Sequence, residues 1–224
     1  KKLNELDEVN KITKKFKIQN KIINFKKENM LENLTPIYSN FEEPLPSSSL
    51  LLKQISKFVG NISNNRICFT GDGADEIFGG YIRHHVIKKQ YEKNLNLNTI
   101  ALGFNYLTVG RLKKYFNKSF KIPNERINFL SKLKNLSTLD KILLNDVKFY
   151  LPIFLRSTEI IGMNSSIEYR SPFTDHNLIE KSFYLKDQYR VNKTFDKKGI
   201  QIIRAREYGL KKISKFDFQF KKNF

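Results

Sequence analysis

Leu6, Val9, Ile12 and Phe16 stand at helical spacing among lysines and a glutamate, which predicts an amphipathic helix over Leu6 to Phe16. Lys21 to Phe25 is short and rich in branched and aromatic residues, the signature of a strand. A second amphipathic helix is expected from about Lys27 to Tyr38, followed by a proline- and serine-rich loop from Ser39 to Ser49. The last serines of that loop suit the N-cap of a helix through Leu50, Leu51, Ile55 and Phe58. Gly60 to Asn65 reads as a turn-rich break, and Arg66 to Thr70 as an apolar strand that stops abruptly at Gly71. From Ile77 to Tyr184 the pattern is helical, with no convincing alternating strand. Its clearest stretches are Leu102 to Leu112 and Leu130 to Leu155, with breaks at Pro123 and Pro152. A helix from His176 to Leu185 would be capped by Asp175 or Asn177.

Helix and strand alternating in this rhythm predict an α/β fold, with a parallel sheet and covering helices. The expected division is an α/β part over 1–90 and a mainly helical part over 91–224. With 19 Phe and 10 Tyr the chain has enough apolar material for a sizeable core, so disorder throughout is excluded. No apolar run is long enough for a membrane span, and no signal-peptide pattern opens the chain. Cys68 is the single cysteine, which excludes an internal disulfide and favours a reducing, cytoplasmic setting. The net charge of +19 suits a polyanion partner, but the lysines are scattered and no nucleic-acid motif accompanies them. Drift of composition towards lysine is the simpler account.

The chemistry is concentrated in Thr70-Gly-Asp-Gly-Ala-Asp-Glu-Ile-Phe-Gly-Gly-Tyr81. In open parallel sheets, ligands gather beyond the carboxyl ends of the strands, where this loop emerges. Gly71 and Gly73 permit positive φ and a close backbone approach to an anion. Asp72, Asp75 and Glu76 crowd three carboxylates together, and such crowding repels unless a cation or proton is shared; Mg²⁺ is a natural answer. Gly79-Gly80 within a helical segment would cost about 1 kcal/mol each relative to alanine. The plainer alternative is a strand, a turn and a helix with Asp75 as its N-cap.

Thr70 to Tyr81 is very similar to the S-G-[ED]-G-[AS]-D-E-L-F-G-G-Y signature of the asparagine synthetase family's synthetase domain. Met163-Asn-Ser-Ser-Ile-Glu-Tyr-Arg-Ser-Pro-Phe-Thr-Asp175 resembles that family's M-A-x-S-[LI]-E-x-R-x-P-F-L-D stretch, and Glu43-Pro44 resembles its acidic-proline loop. The resemblance implies a sheet of the adenine-nucleotide hydrolase-like, Rossmann-like kind. It also implies an ATP-dependent amidotransferase or amide ligase that adenylates a carboxylate, expected to be aspartate, releases pyrophosphate and then amidates with glutamine-derived ammonia. Thr70, Gly71 and Gly73 fall at nucleotide-binding positions. Asp72 falls at the acidic position tied to adenylation and amine attack, Asp75 at the Mg²⁺ ligand, and Glu76 beside it in an orienting role. Lys215 matches the family's late catalytic lysine in Lys215-Phe-Asp-Phe-Gln-Phe220, with Lys221 or Lys222 as alternatives; Arg204 is taken as structural. Glu168 and Arg170 of the second stretch are expected to pair and hold a helix junction.

The family's S-G-G-x-D-S pyrophosphate loop has no counterpart here, nor has its glutaminase with a nucleophilic first-residue cysteine. Cys68, inside an apolar strand, is expected in the core and not in that role. The chain opens without Met, and we expect a piece of a longer protein whose missing N-terminal part would carry the glutaminase. The expected partners are small molecules (aspartate or a similar carboxylate, ATP, and ammonia or glutamine) and a second copy of the chain, with neither membrane nor nucleic acid. His84 and His85 diverge on a helix and do not suit one metal. Two rivals stay open: a related amide-forming enzyme with another acceptor, by sugar-acid amidation or lactam closure, and a non-catalytic basic protein that binds polyanions.

Overall fold

The computed structural model describes residues 6–24, 48–62, 64, 66–103 and 124–190. The first helix, α1 (Leu6–Phe16), has the bounds that its apolar spacing predicts. The strand expected from Lys21 does not form: residues 21–24 have no regular structure, and their apolar Ile22 is exposed. A run of branched residues becomes a strand only where a sheet edge receives it. The helix expected over 27–38 and the acidic-proline loop at 43–44 lie outside the described residues.

Helix α2 (Ser49–Ile62) begins at the expected serine but continues through Gly60, where a break is expected. Gly60 serves close packing there: a β-carbon at this position would stand 3.1 Å from the Ser165 carbonyl oxygen. Strand β1 (Ile67–Phe69) follows, and α3 (Ala74–Phe78), α4 (Ile82–Asn94) and α5 (Leu97–Leu102) come after the acidic loop. Helices α6 (Asn124–Lys132), α7 (Thr138–Phe149) and α8 (Leu151–Met163) divide the long stretch from Leu130. The break expected at Pro152 falls at Tyr150, between α7 and α8, and Pro152 stands in the first turn of α8, where its N–H would have no helical partner. The segment 104–112 and Pro123 fall outside the described residues.

A second strand, β2 (Glu168–Arg170), appears where sequence periodicity shows none, because a three-residue alternation is too short to register. It pairs parallel to β1, with Ile67 opposite Glu168, Cys68 opposite Tyr169 and Phe69 opposite Arg170. The described residues are thus mostly helical, with a small two-stranded parallel sheet. A single 3-10 turn (Pro172–Thr174) leads into α9 (His176–Phe183), and α10 (Asp187–Arg190) ends the described part. Asp175 caps α9 by accepting from the Leu178 N–H at 3.0 Å, which selects it over Asn177.

Ile87, Tyr91, Ile100, Ala101, Leu130 and Ile142 form one core cluster among α4 to α7. Ile161 of α8, packed with Leu50 and Leu52 of α2, forms a smaller one. Helix α8 also supports β2, and Gly162 makes that approach feasible. A β-carbon there would stand 2.5 Å from the Tyr169 ring and 2.6 Å from the Ile167 carbonyl oxygen. Cys68 is only half-buried, not core as expected, because the thin sheet covers it incompletely. No described helix is long and apolar enough to cross a membrane.

Candidate functional site

Strand β1 ends at Thr70, whose N–H donates to the Arg170 carbonyl at 2.8 Å, so the two sequence stretches that carry the resemblance adjoin in space. The Thr70 hydroxyl donates to Asp72 Oδ2 at 3.0 Å and lies 2.7 Å from the Ser171 hydroxyl. A hydroxyl has one proton to give, so Ser171 donates to Thr70 while Thr70 donates to Asp72. Thr158 of α8 brings a second hydroxyl to the same carboxylate oxygen at 3.3 Å. Among the described residues, Asp72 is therefore oriented by two neutral donors and by no cation.

The chain then turns on Gly73. Its φ of 91° is left-handed, and it stands as the N-cap of α3, with no side-chain cap. Asp75, proposed above as that cap, is instead the second residue of the helix. Of the two glycines that permit a positive φ only Gly73 takes one; a β-carbon at Gly71 would meet nothing within 4 Å, so its outer side is open. Gly79 closes α3 with a φ of 69°, and the Gly80 N–H returns to the Asp75 carbonyl at 3.0 Å. The two glycines therefore end one helix before the next begins, and the penalty expected inside a continuous helix does not arise.

Gly71, Asp72, Gly73, Asp75, Glu76 and Tyr81 line one cavity of about 90 Å³, closed on its apolar side by Leu151 and Phe154 of α8. Asp72 and Asp75 are half-buried, and Glu76 is only 3% exposed. Burial, reinforced by Asp146 and Asp75 nearby, raises the Glu76 carboxyl above its ordinary pKa. The Tyr81 hydroxyl opposes this by donating to Glu76 Oε1 at 2.8 Å. Burial and the adjoining Glu76 in turn hold the Tyr81 phenol far above its usual range, so it stays a donor.

Beneath Tyr81 lies a second layer that sequence reasoning missed. The Arg83 guanidinium sits between the faces of Tyr81 and Tyr150, 4.1 and 4.3 Å from the ring centroids. Arg83 pairs with the buried Asp146, which also receives His84 Nε2 at 2.8 Å. His84 is thus a buried packing residue, and its Nδ1 has no partner among the described residues. Only Tyr81 had a sequence signal, as the last letter of the signature. Asp146 and Thr158 come from distant segments with no local mark, and Ser171 stands at an unspecified position of the second signature stretch.

Among the described residues no group of three histidine, cysteine or acidic side chains is arranged to hold a metal. Mg²⁺ commonly takes only one or two carboxylates and fills its sphere with water and phosphate oxygens. Asp75 and Asp72, lining one cavity whose described wall residues include no cationic side chain, fit that requirement. Glu168 and Arg170 form the expected pair, Nε to Oε1 2.7 Å, on the exposed side of β2. Lys215, with Lys221, Lys222 and Arg204, lies outside the described residues.

A family model described as asparagine synthase matches residues 1–205. The chain belongs to the asparagine synthase family. No curated protein and no solved structure gives a significant match. Asparagine synthase domains are ATP-using, amide-forming ligases, and the acidic loop and the Ser171 segment are where this member brings its two signature stretches together.

Proposed function

We propose that this asparagine synthase domain activates a carboxylate, aspartate in the first instance, as its acyl-adenylate with release of pyrophosphate, and that the activated carbonyl is then amidated by ammonia. The observation that carries this reading is the cavity that gathers Asp72, Asp75 and Glu76 at the carboxyl end of β1 beside Ser171. We take β1 and β2 as part of a larger adenine-nucleotide hydrolase-like sheet, for which the parallel pairing and the ligand position beyond the strand end are the support.

In this reading Asp75 holds Mg²⁺ together with the nucleotide phosphates; the ion, when bound, neutralises charge on the oxygens of the leaving pyrophosphate. Gly71 leaves the outer wall open for the nucleotide, and Gly73 turns the chain so that Asp72 and Asp75 share one cavity. Thr70 and Thr158 fix Asp72 through Oδ2, which leaves Oδ1 to orient the incoming amine and accept its proton. Glu76, tied to Tyr81, orients the ligands from below. Leu151 and Phe154 cover one side and limit water at the adenylate. Lys215 would supply positive charge to the developing negative charge on phosphate and carbonyl. Glutamine as the ammonia source, a glutaminase in the same polypeptide, a homo-oligomer and a cytoplasmic setting complete the proposal.

Aspartate-dependent exchange of labelled pyrophosphate into ATP by the full-length protein tests it. Asp75→Asn is expected to lower the exchange rate by about two orders of magnitude or more with an unchanged circular dichroism spectrum. Equal exchange by both proteins removes the metal assignment. Exchange supported by other carboxylates but not by aspartate moves the chain to the rival acceptor class.

A further inference from the structure

At the other end of β1, the described surface has a second cavity of opposite character. It encloses about 480 Å³ and is lined by Lys53, Lys57, Gly60 and Asn61 of α2, by Arg66, and by Asn164, Ser165 and Ser166 of the turn after α8. Three cations, two amides and two hydroxyls face it, and no carboxylate does. Lys53, Lys57 and Arg66 form no ion pair among the described residues; Arg66 Nη1 instead donates to the Gly60 carbonyl at 3.3 Å. Lys53 and Lys57 are one helical turn apart, a spacing at which like charges repel. Burial, and then the charge of Lys57, lower the Lys53 pKa.

A solvated lysine face would spread its charges outward, yet here a half-buried lysine, an exposed lysine and an arginine converge on one hollow. The hollow is also a built feature. Gly60 lets α2 come close to the Ser165 carbonyl, and Ser166 holds the turn with a φ of 54°, a conformation uncommon outside glycine. Its volume lies within the usual span for small-molecule sites, roughly 300–1,000 Å³. A set of ammonium, guanidinium, amide and hydroxyl donors with no carboxylate beside it among the described residues matches an anion with several oxygens and more than one charge. We propose that this cavity binds a small polyphosphate-bearing anion, separately from the acidic cavity at the opposite end of the strand. The chain's net charge of +19 would draw such a ligand in from solution.

Calorimetric titration of the full-length protein with inorganic tripolyphosphate in EDTA and low salt tests the proposal, the chelator removing any metal-dependent binding at the acidic end. One saturable site per chain is expected. Lys57→Gln and Arg66→Gln, both exposed residues, should each weaken it about tenfold, whereas Lys132→Gln with Lys134→Gln, outside the cavity, should leave it within twofold. Asp72→Asn should not change it. Equal weakening by the pocket and control variants would reduce the effect to general polyelectrolyte attraction and overturn the site. Weakening or tightening by Asp72→Asn alone would move the ligand to the acidic cavity, and absence of saturable binding would remove the proposal outright. None of these results depends on whether pyrophosphate exchange occurs.

Discussion

The two ends of β1 handle charge in opposite ways. At the carboxyl end, the carboxylates of Asp72 and Glu76 are held by hydroxyls: Thr70 and Thr158 on Asp72, Tyr81 on Glu76. At the amino end, Lys53, Lys57 and Arg66 line their cavity with no acid among them. Neutral donors can orient a carboxylate without cancelling its charge, so the acidic end stays attractive to a cation. Among the described residues the basic end achieves the complement by having no counter-ion. Three residues of strand separate the two. An ion pair joining them would have been worth about 1 kcal/mol or less at the surface, so little stability is forgone by keeping the two ends apart.

The largest expected effect concerns what lies beneath the acidic end. Asp146 is almost fully buried and takes both Arg83 and His84. Asp146→Ala removes the buried carboxylate that Arg83 and His84 share, beneath the rings of Tyr81 and Tyr150. Loss of one partner of a buried pair typically costs about 3–5 kcal/mol, and urea denaturation should show a fall of that order. Asp146→Asn keeps one acceptor and should fall less. The comparison sharpens if the folded fraction of either variant still binds tripolyphosphate as wild type does. It breaks if stability is unchanged, for then Arg83 and Asp146 support nothing.

A smaller effect is expected where the ends share a wall. Gly162 faces Tyr169 and the Ile167 carbonyl, with no room for a methyl group. Gly162→Ala must push β2 away from α8, and overpacking of this kind costs about 1–3 kcal/mol. The displaced strand carries Ser171 at one end and follows Ser165 and Ser166 at the other. A lowered melting temperature together with weaker tripolyphosphate binding is therefore the expected outcome. A variant that melts with wild type would show that β2 is not wedged by α8.

How much of this was legible beforehand differs between the ends. The acidic loop could be found from Thr70 to Tyr81 alone, because its residues are contiguous and their types imply the turn and the charge. Its bounds and caps were less legible. Asp75 looked like a cap, but Gly73 takes that place, because the backbone needs a left-handed residue where α3 starts. Strand β2, the donor Thr158 and the contact of Ser171 with Thr70 were invisible, since a partner about a hundred residues away leaves no local periodicity. The basic cavity was hidden for another reason. In a chain with 41 lysines and arginines, only the fold can show which of them converge. The strand expected at Lys21 does not form over residues 21–24, although their composition favours one, because strand propensity depends on tertiary context.

The subtlest prediction concerns Glu76, where position opposes stability. Its folded pKa is raised above the ordinary value of 4.5, chiefly by burial. A carboxyl of this kind favours the folded state fully only while protonated, below its unfolded pKa. That contribution is lost as pH climbs through the raised folded value, and above it the ionised Glu76 weakens the fold. Glu76→Gln keeps an oxygen to accept from Tyr81 and removes the charge. The melting temperature of the variant should exceed that of wild type at pH 8, and the difference should shrink towards pH 4.5. Pyrophosphate exchange should fall in the same protein, since the buried charge beside Asp75 is gone. A variant less stable than wild type at every pH would mean that the Tyr81 hydroxyl outweighs burial, and Glu76 would then be a structural anchor of the loop. If stability rises while exchange is untouched, the charge at Glu76 has no part in holding ligands, and the acidic end reduces to Asp72 and Asp75.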